Sequence, residues 1–569
     1  MTASKQSVID IAEICARHGI SNAIISPGLR SAPLTLAFAR HPGLICRVLV
    51  DERSAAFVAL GISQQKCQPT VLISTSGTAA LNYTPALAEA FYQQIPLLIF
   101  TADRPPEWID QRDNQTIHQH RVYGDHCKAF FSMPVDTDHP DATWHAGRVI
   151  SEAIIASQTR PYGPVHVNVP LREPLIDQTT AKSQSAIKII KSGDTKRALA
   201  EQVWPELLDE WQQAKSKVIV LGMSKPGTYD ADVLQQLSDM QDVVILADVL
   251  SGLNGYYPHA HFDMILGKND SELLRSLAGE LLITTGAAII SKHLKLFLRE
   301  NQPQYHWHVE PGDGCPDTYK SLTRVLPCDE SVFFRSLALK VQNKVSVSDN
   351  SFSQKWQDAE EQTAIMLANF LAEAPFCELS ALQTVLNELP ENSNLQLGNS
   401  GIVRMVSLLT LPVEKNIRVN ANRGTSGIDG TVSTAVGAAL ASSEMTTLVT
   451  GDLAFFYDRN GLWQQQLPVN LRIIVFNNGG GGIFRILEDV REQPELEIYF
   501  EAGQKITAEN TARDHGLEYM SATDQELLQN QLAFFFSDKS KPAILEVRFD
   551  KYKNAEASLA FKARMKEIQ

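Results

Sequence analysis

The sequence predicts an α/β protein of three consecutive domains, each with a mainly parallel sheet. Three observations predict it. Short apolar runs such as Thr70–Ser74, Lys217–Leu221 and Ile473–Phe476 recur along the chain, separated by helix-like stretches. Continuous apolar runs, unlike alternating ones, mark strands buried on both faces, as in parallel sheets covered by helices. Two polar stretches without apolar periodicity, Asp177–Asp194 and Val345–Gln354, divide the chain in three. A length of 569 residues with 44% hydrophobic content allows three domains with cores of their own.

Val8–His18 reads as an amphipathic helix. Strands are expected at Asn22–Ser26, Arg47–Val50, Thr70–Ser74, Pro96–Thr101 and Val165–Val169, with a helix opening at Glu52. After the first polar stretch, strands are expected at Lys217–Leu221, Val243–Leu246 and Leu281–Thr284. After the second they are expected at Thr447–Thr450, Ile473–Phe476 and Ala543–Val547. The expected domains are residues 1–180, 195–345 and 355–569. The first and third share a style but no detectable sequence.

The formal net charge of -14 argues against a nucleic acid or an anionic membrane surface as partner. It leaves room for an anionic substrate wherever arginines cluster. The seven cysteines never form a C-x-x-C pair, so mostly buried free thiols of a reducing cytoplasm are expected, without zinc. Met1–Ile11 lacks the apolar core of a signal peptide. No run approaches the roughly 18 apolar residues of a membrane span.

The chemistry-bearing segment is Thr447–Phe484. It reads as a strand, Gly451-Asp452, a helix-like run, and a second strand ending in Asn477-Asn478-Gly479-Gly480. Parallel strands joined by a crossover bring their carboxyl ends together, where open α/β sheets bind ligands. A carboxylate, an amide oxygen and a backbone carbonyl are hard ligands suited to Mg²⁺ or Ca²⁺, with phosphate oxygens completing the shell. The glycines from Gly479 to Gly482 let backbone approach a diphosphate. Either piece alone reads equally as a plain turn.

Gly451-Asp452 followed on the next strand by Asn477-Asn478 resembles the signature of the thiamin diphosphate enzymes. The resemblance implies a thiamin diphosphate-binding fold, with the first domain holding the cofactor's pyrimidine and the third its diphosphate. It implies Asp452, Asn478 and the Gly480 carbonyl as ligands of Mg²⁺ or Mn²⁺, and Gly451 and Leu453 beside the diphosphate. Where the family often has a small hydroxyl residue, this chain has Ala454. Such chemistry needs a carboxylic acid on the aminopyrimidine ring, best a buried one with a raised pKa. Glu52, after the second strand, occupies the position the family uses. Read locally, it is also an ordinary first-turn acidic residue. In the family this glutamate comes from the other subunit, which implies a homodimer with shared active sites, or a dimer of two such dimers.

Further segments narrow the resemblance. They are Ser26–Ala39, Val50–Gly61, Thr75–Ala90, Thr101–Asp110, Asp113–Gln119, Gly398–Arg404 and Asn422–Gly437. Together they resemble the family of 2-succinyl-5-enolpyruvyl-6-hydroxy-3-cyclohexene-1-carboxylate synthases of menaquinone biosynthesis. That family decarboxylates 2-oxoglutarate and adds the four-carbon product to isochorismate. Another thiamin diphosphate-dependent 2-keto-acid decarboxylase or lyase is the alternative. The resemblance assigns Arg30, Arg104, Asn114, Gln115, Lys292, Ser400, Arg404 and Arg423 to the substrates, with Gln115 also placing the reacting group. It sets Thr75, Gly77, Ser400, Ile428, Ile483 and Phe484 around the cofactor. Arginine forks suit anionic substrates, since they bind carboxylates bidentately, although any one arginine alone reads as a surface ion pair. Leu29 stands where the family commonly has Ser, and His293 where it often has Arg.

Overall fold

The structure, a computed structural model, describes residues 3–176, 187–253, 255–342 and 351–567. Residues 177–186 and 345–350, parts of the two expected linkers, lie outside the described residues.

Three sheets follow one another along the chain, and every strand pairing is parallel. The first contains β1 (Asn22–Ile25), β2 (Ile45–Val48), β3 (Thr70–Ser74), β4 (Leu97–Asp103), β5 (Ala129–Ser132) and β6 (Pro164–Pro170), ordered β2-β1-β3-β4-β6-β5. The second contains β7 (Lys217–Leu221), β8 (Val243–Ala247), β9 (Leu281–Thr285), β10 (Tyr305–Val309) and β11 (Arg324–Leu326), ordered β11-β10-β9-β7-β8. The third contains β12 (Asn394–Leu397), β13 (Arg418–Ala421), β14 (Thr446–Gly451), β15 (Leu471–Asn477), β16 (Glu518–Ala522) and β17 (Ala543–Arg548), ordered β13-β12-β14-β15-β17-β16.

The first and third sheets thus share one strand order, which gives structural content to their likeness of style. Each reverses direction after its first strand, and crevices at such reversals, outside the carboxyl ends of the strands, bind ligands. In the first sheet the reversal lies between β1 and β3. A Cβ on Gly28 would stand 2.3 Å from the Thr75 Cβ there. In the third it lies between β12 and β14, where a Cβ on Gly398 would stand 2.5 Å from the Thr450 Oγ1. The same tight glycine–threonine approach therefore marks both reversals.

A helix crossing joins the outer sheets. Helix Glu52–Lys66 packs on helix Thr431–Ala441 within a common buried cluster. A Cβ on Gly61 would stand 2.1 Å from the Thr434 carbonyl oxygen, and one on Gly437 2.1 Å from that of Val58. Backbone cannot yield as a flexible side chain can. Gly61→Ala is expected to lower stability by about 1–3 kcal/mol, seen as an earlier transition in thermal denaturation. Helix Phe352–Glu373 also spans two cores: Phe352 and Trp356 pack with the second sheet, Leu367 and Phe370 with the third.

The buried strands β3 and β7 match their expected bounds, and β1, β4, β6, β8, β9, β14, β15 and β17 lie within two residues of theirs. The second strand is corrected to Ile45–Val48, two residues early. It is an edge strand, with Ile45 and Val48 exposed, so continuous burial does not mark its limits. Six strands, β5, β10, β11, β12, β13 and β16, had no expected counterpart. They are short, or carry polar and aromatic residues, as in Tyr305–Val309 (YHWHV) and Asn394–Leu397 (NLQL). The expectation of mostly buried cysteines is also corrected. Cys15, Cys328 and Cys377 are buried, Cys46 and Cys127 half-buried, and Cys67 and Cys315 exposed; all seven are free thiols.

Candidate active site

The carboxyl edge of the first sheet gathers one set of the expected residues. Arg30 follows β1, Glu52 follows β2, Thr75 and Gly77 follow β3, and Arg104 follows β4. Around the β1/β3 crevice the hydroxyls of Thr75 and Ser76 are buried without a partner, beside the buried Tyr83 hydroxyl, which faces Ser26 and Ser74. Buried polar atoms rarely go unpaired. Such a wall fits a ligand rich in hydrogen-bonding atoms, as an aminopyrimidine is.

Glu52 is the first residue of its helix, beside Asp51, whose side chain caps the Ser54 N–H. Burial raises the Glu52 carboxyl above its usual range, and the Asp51 charge adds to this. A raised carboxyl beside an orphaned polar wall is suited to holding a proton on a ring nitrogen.

Gly77 has φ 84°, and its N–H donates to Gln119 Oε1 at 2.9 Å. A Cβ there would meet the Gln115 Cα at 3.4 Å. Gln115 itself holds φ 52°. A left-handed non-glycine residue costs about 1–3 kcal/mol and persists where its surroundings over-determine it. Arg30, only 6% exposed, donates to the Leu171 carbonyl and to Glu173 Oε1, each at 2.9 Å. Arg104 reaches the same Glu173 oxygen at 3.4 Å, the Asn114 carbonyl at 2.9 Å and Asp113 at 3.1 Å. Arg30 and Arg104 therefore converge on one carboxylate, a place an anionic ligand could share or take.

The carboxyl edge of the third sheet gathers the other set. Gly451 pairs in register with Phe476, so Asp452 comes beside the Asn477–Gly480 turn. Asp452 is 2% exposed and forms no ion pair among the described residues. Its Oδ1 accepts from the Leu453 N–H and its Oδ2 from Gln504 Nε2, both at 2.7 Å. Burial lifts its carboxyl to about 6. The Asn478 Nδ2 donates to Glu378 Oε1 at 2.7 Å, while its Oδ1 is buried without a partner. The Gly480 carbonyl accepts from the Gly482 N–H and keeps a lone pair. A buried carboxylate with no cation partner among the described residues, an orphaned amide oxygen and a carbonyl form a hard-oxygen set that fits a divalent cation. Gly480 holds φ 150°, and a Cβ there would stand 2.5 Å from the Glu501 carbonyl oxygen, so the turn admits only glycine. A Cβ on Gly451 would meet nothing within 4 Å, which leaves open space for a diphosphate. Ala454 is buried and brings no hydroxyl to it. Ile483 and Phe484 are half-buried beside this turn, and Phe484 packs on Phe500 at 5.7 Å.

Ser400 follows β12 with φ 71°, another left-handed non-glycine residue, and its carbonyl accepts from Arg404 Nη1 at 2.6 Å. Arg423 follows β13, is 9% exposed, and donates to Asn399 Oδ1 at 3.3 Å while its Nε has no partner. Its loop is held from the first domain: Glu89 accepts from the Gly424 N–H and from the Thr425 N–H, each at 2.7 Å. Arg404, Lys295 and the buried Asp248 surround Arg423 electrostatically. Ile428 is 39% exposed. Lys292, the first residue of helix Lys292–Glu300, is exposed and near Lys562. Leu29 is 72% exposed.

The structure thus brings the expected residues together in two sets, one per outer sheet, with Lys292 on the second domain. Among the described residues, no hydrogen bond or ion pair links a member of one set to a member of the other. Sequence reasoning missed Gln504, Glu378 and Lys295, which carry no motif and act through tertiary contacts, and Glu89, which lay inside the quoted segment Thr75–Ala90 without a role. Gln119 lay inside a quoted segment without a role.

Comparison with known proteins identifies the family. The N-terminal TPP binding domain of thiamine pyrophosphate enzymes matches residues 8–122, and the middle domain of thiamine pyrophosphate enzymes matches residues 188–397. The chain is similar to the 2-succinyl-5-enolpyruvyl-6-hydroxy-3-cyclohexene-1-carboxylate synthase of Cytophaga hutchinsonii, 39% identical over 565 residues and 99% of each chain. It is similar to the enzyme of the same name from Flavobacterium johnsoniae, 37% identical over 550 residues and 96% of each chain. It is also similar to that of Desulfotalea psychrophila, 35% identical over 551 residues, covering 96% of this chain and 99% of the relative. With similarity running end to end through both outer sheets, the chain belongs to the 2-succinyl-5-enolpyruvyl-6-hydroxy-3-cyclohexene-1-carboxylate synthase family of thiamin diphosphate enzymes.

Proposed function

We propose that this chain decarboxylates 2-oxoglutarate and joins the four-carbon product to isochorismate, as a step of menaquinone biosynthesis. The observation that carries the reading is the pair of half-sites, one polar and acid-bearing, the other built of hard oxygens, on two sheets of identical order. Thiamin diphosphate, when bound, supplies the electron sink for decarboxylation and carbon–carbon bond formation. Asp452, Asn478 and the Gly480 carbonyl would hold Mg²⁺ or Mn²⁺, with Gly451 and Leu453 at the diphosphate. Thr75, Gly77, Ser400 and Ile428 would line the cofactor. Glu52 would hold a proton at the aminopyrimidine. Arg30, Arg104, Asn114, Gln115, Lys292, Ser400, Arg404 and Arg423 bind and orient the two anionic substrates. Ile483 and Phe484 exclude water, which favours addition over protonation of the reacting carbon.

We further propose a homodimer in which Glu52 of one subunit completes the site of Asp452 in the other. The exposed edge strand β2 beside Glu52, with apolar Ile45, Val48 and Val50 uncovered, supports it. The free thiols fit a reducing cytoplasm. The test is carbon dioxide release measured with 2-oxoglutarate, with and without isochorismate. Release that needs 2-oxoglutarate and yields a joined product with isochorismate supports the reading. Turnover of other 2-keto acids, indifferent to isochorismate, would contradict it.

His293 adds a pH dependence. Its Nδ1 lies 3.3 Å from the Asp263 carboxylate, which raises its pKa above the ordinary value, against burial and the adjacent Lys292. The charged form thus persists to higher pH than in an unfolded chain. Its contribution to stability is complete below the unfolded value and is lost as pH rises through the raised folded value. Attraction for an anionic substrate follows the same course. The KM for isochorismate is expected to rise with pH through this range in the wild type, and to stay flat in His293→Arg.

A further inference from the structure

Asn478 is held by more than its own strand. Its Nδ2 donates to Glu378 Oε1 at 2.7 Å. Glu378 opens helix Glu378–Glu388, and its own N–H donates at 2.8 Å to Asn554 Oδ1 on the C-terminal helix. On the other flank, a Cβ at Gly482 would stand 2.4 Å from the same Nδ2, so only glycine lets the amide lie there.

The orientation of an amide is ambiguous from its shape, but its partner resolves it here. Glu378 Oε1 accepts from Nδ2 in the structure, which sets Nδ2 toward Glu378 and Oδ1 away from it. Fixing the nitrogen fixes the oxygen, and Oδ1 is left buried and unpaired. The carboxylate also draws charge from the N–H toward Oδ1, which makes that oxygen a better ligand for a hard cation. Carboxylates behind metal-binding imidazoles act in the same way.

We propose that Glu378 is a positioning residue for the divalent cation: it fixes and polarises the Asn478 amide so that Oδ1 is presented to the metal. The proposal rests on the reading of Asp452 and Asn478 as the metal clamp. Nothing in it needs Glu378 to touch substrate or cofactor.

The test measures Mn²⁺ binding to the full-length protein with saturating thiamin diphosphate, from the free-ion paramagnetic resonance signal. Glu378→Ala is expected to weaken Mn²⁺ binding by about 10–100-fold. Asn554→Ala removes the hydrogen bonds from Asn554 to the Glu378 N–H and carboxyl but keeps the carboxyl on the amide, and is expected to weaken Mn²⁺ binding less than Glu378→Ala does. In Glu378→Ala/Asn478→Asp the new aspartate has two equivalent oxygens and needs no orienting, so affinity should recover. Should Glu378→Ala fail to fold, Glu378→Gln carries the same test. Its amide can pair with either end of Asn478, and a loss of at least about tenfold is expected. Unchanged affinity in the tested Glu378 variant would overturn the proposal, as would an equal loss in Asn554→Ala or no recovery in the double variant. Asp452→Ala separates the two readings: if it keeps Mn²⁺ affinity, the clamp is elsewhere and the underlying reading fails first.

Discussion

Replacing Glu52 with Gln is expected to lower kcat by about 10²–10⁴-fold, the usual worth of a positioned acid or base. The substitution keeps size and removes only the proton-holding carboxyl. Glu52 is half-buried at its helix start, outside the Gly61–Gly437 crossing that holds the helix. Folding and Mn²⁺ affinity should therefore stay close to wild type. The loss should appear equally in carbon dioxide release and in exchange of the thiazolium C2 proton, followed by NMR with bound cofactor. Exchange at the wild-type rate in Glu52→Gln would reduce the residue to a first-turn acid that complements its helix.

Asp452→Ala is expected to abolish metal-dependent retention of the cofactor. Asp452 is the one carboxylate of the proposed ligand set, buried without a cation of the protein's own among the described residues. Its removal leaves only neutral oxygens to oppose the charge of the metal. Calorimetric titration of Mg²⁺ with thiamin diphosphate should show binding weakened by at least about 100-fold, the upper end of what even a supporting residue costs. Gln504 would lose its 2.7 Å bond to Oδ2 as well, so the turn at Gly479 should loosen. Restoration of activity by millimolar metal alone would argue against a direct ligand.

Much of the fold could be read in the sequence where burial is two-sided. Thr70–Ser74 and Lys217–Leu221 are continuous apolar runs, and the structure buries every residue in them. Edge and polar strands were not readable, because their residues answer to neighbours distant in sequence. Asn394 and Gln396 on β12 are buried, yet their amides bond each other and Gln64 from the first domain. No local pattern announces that. The site divides the same way. Residues on motif turns, such as Asp452 and Asn478, could be found because strand ends are punctuated by Gly, Asp and Asn. Glu378 and Gln504 could not, since each meets the clamp only through folding. Glu89 also escaped notice: it looks like an ordinary helical glutamate, yet it is buried and grips the Arg423 loop.

The most direct test of a site shared between subunits is to mix two inactive variants. Glu52→Gln and Asp452→Ala are each purified, combined in equal amounts and allowed to exchange subunits. In a mixed dimer one site has both substitutions, and the other draws an intact Glu52 and an intact Asp452 from different chains. Sites shared across a twofold interface predict recovery to roughly a quarter of wild-type activity after random exchange. No recovery, with exchange verified by differently tagged subunits, would contradict a shared site and place Glu52 and Asp452 in separate roles.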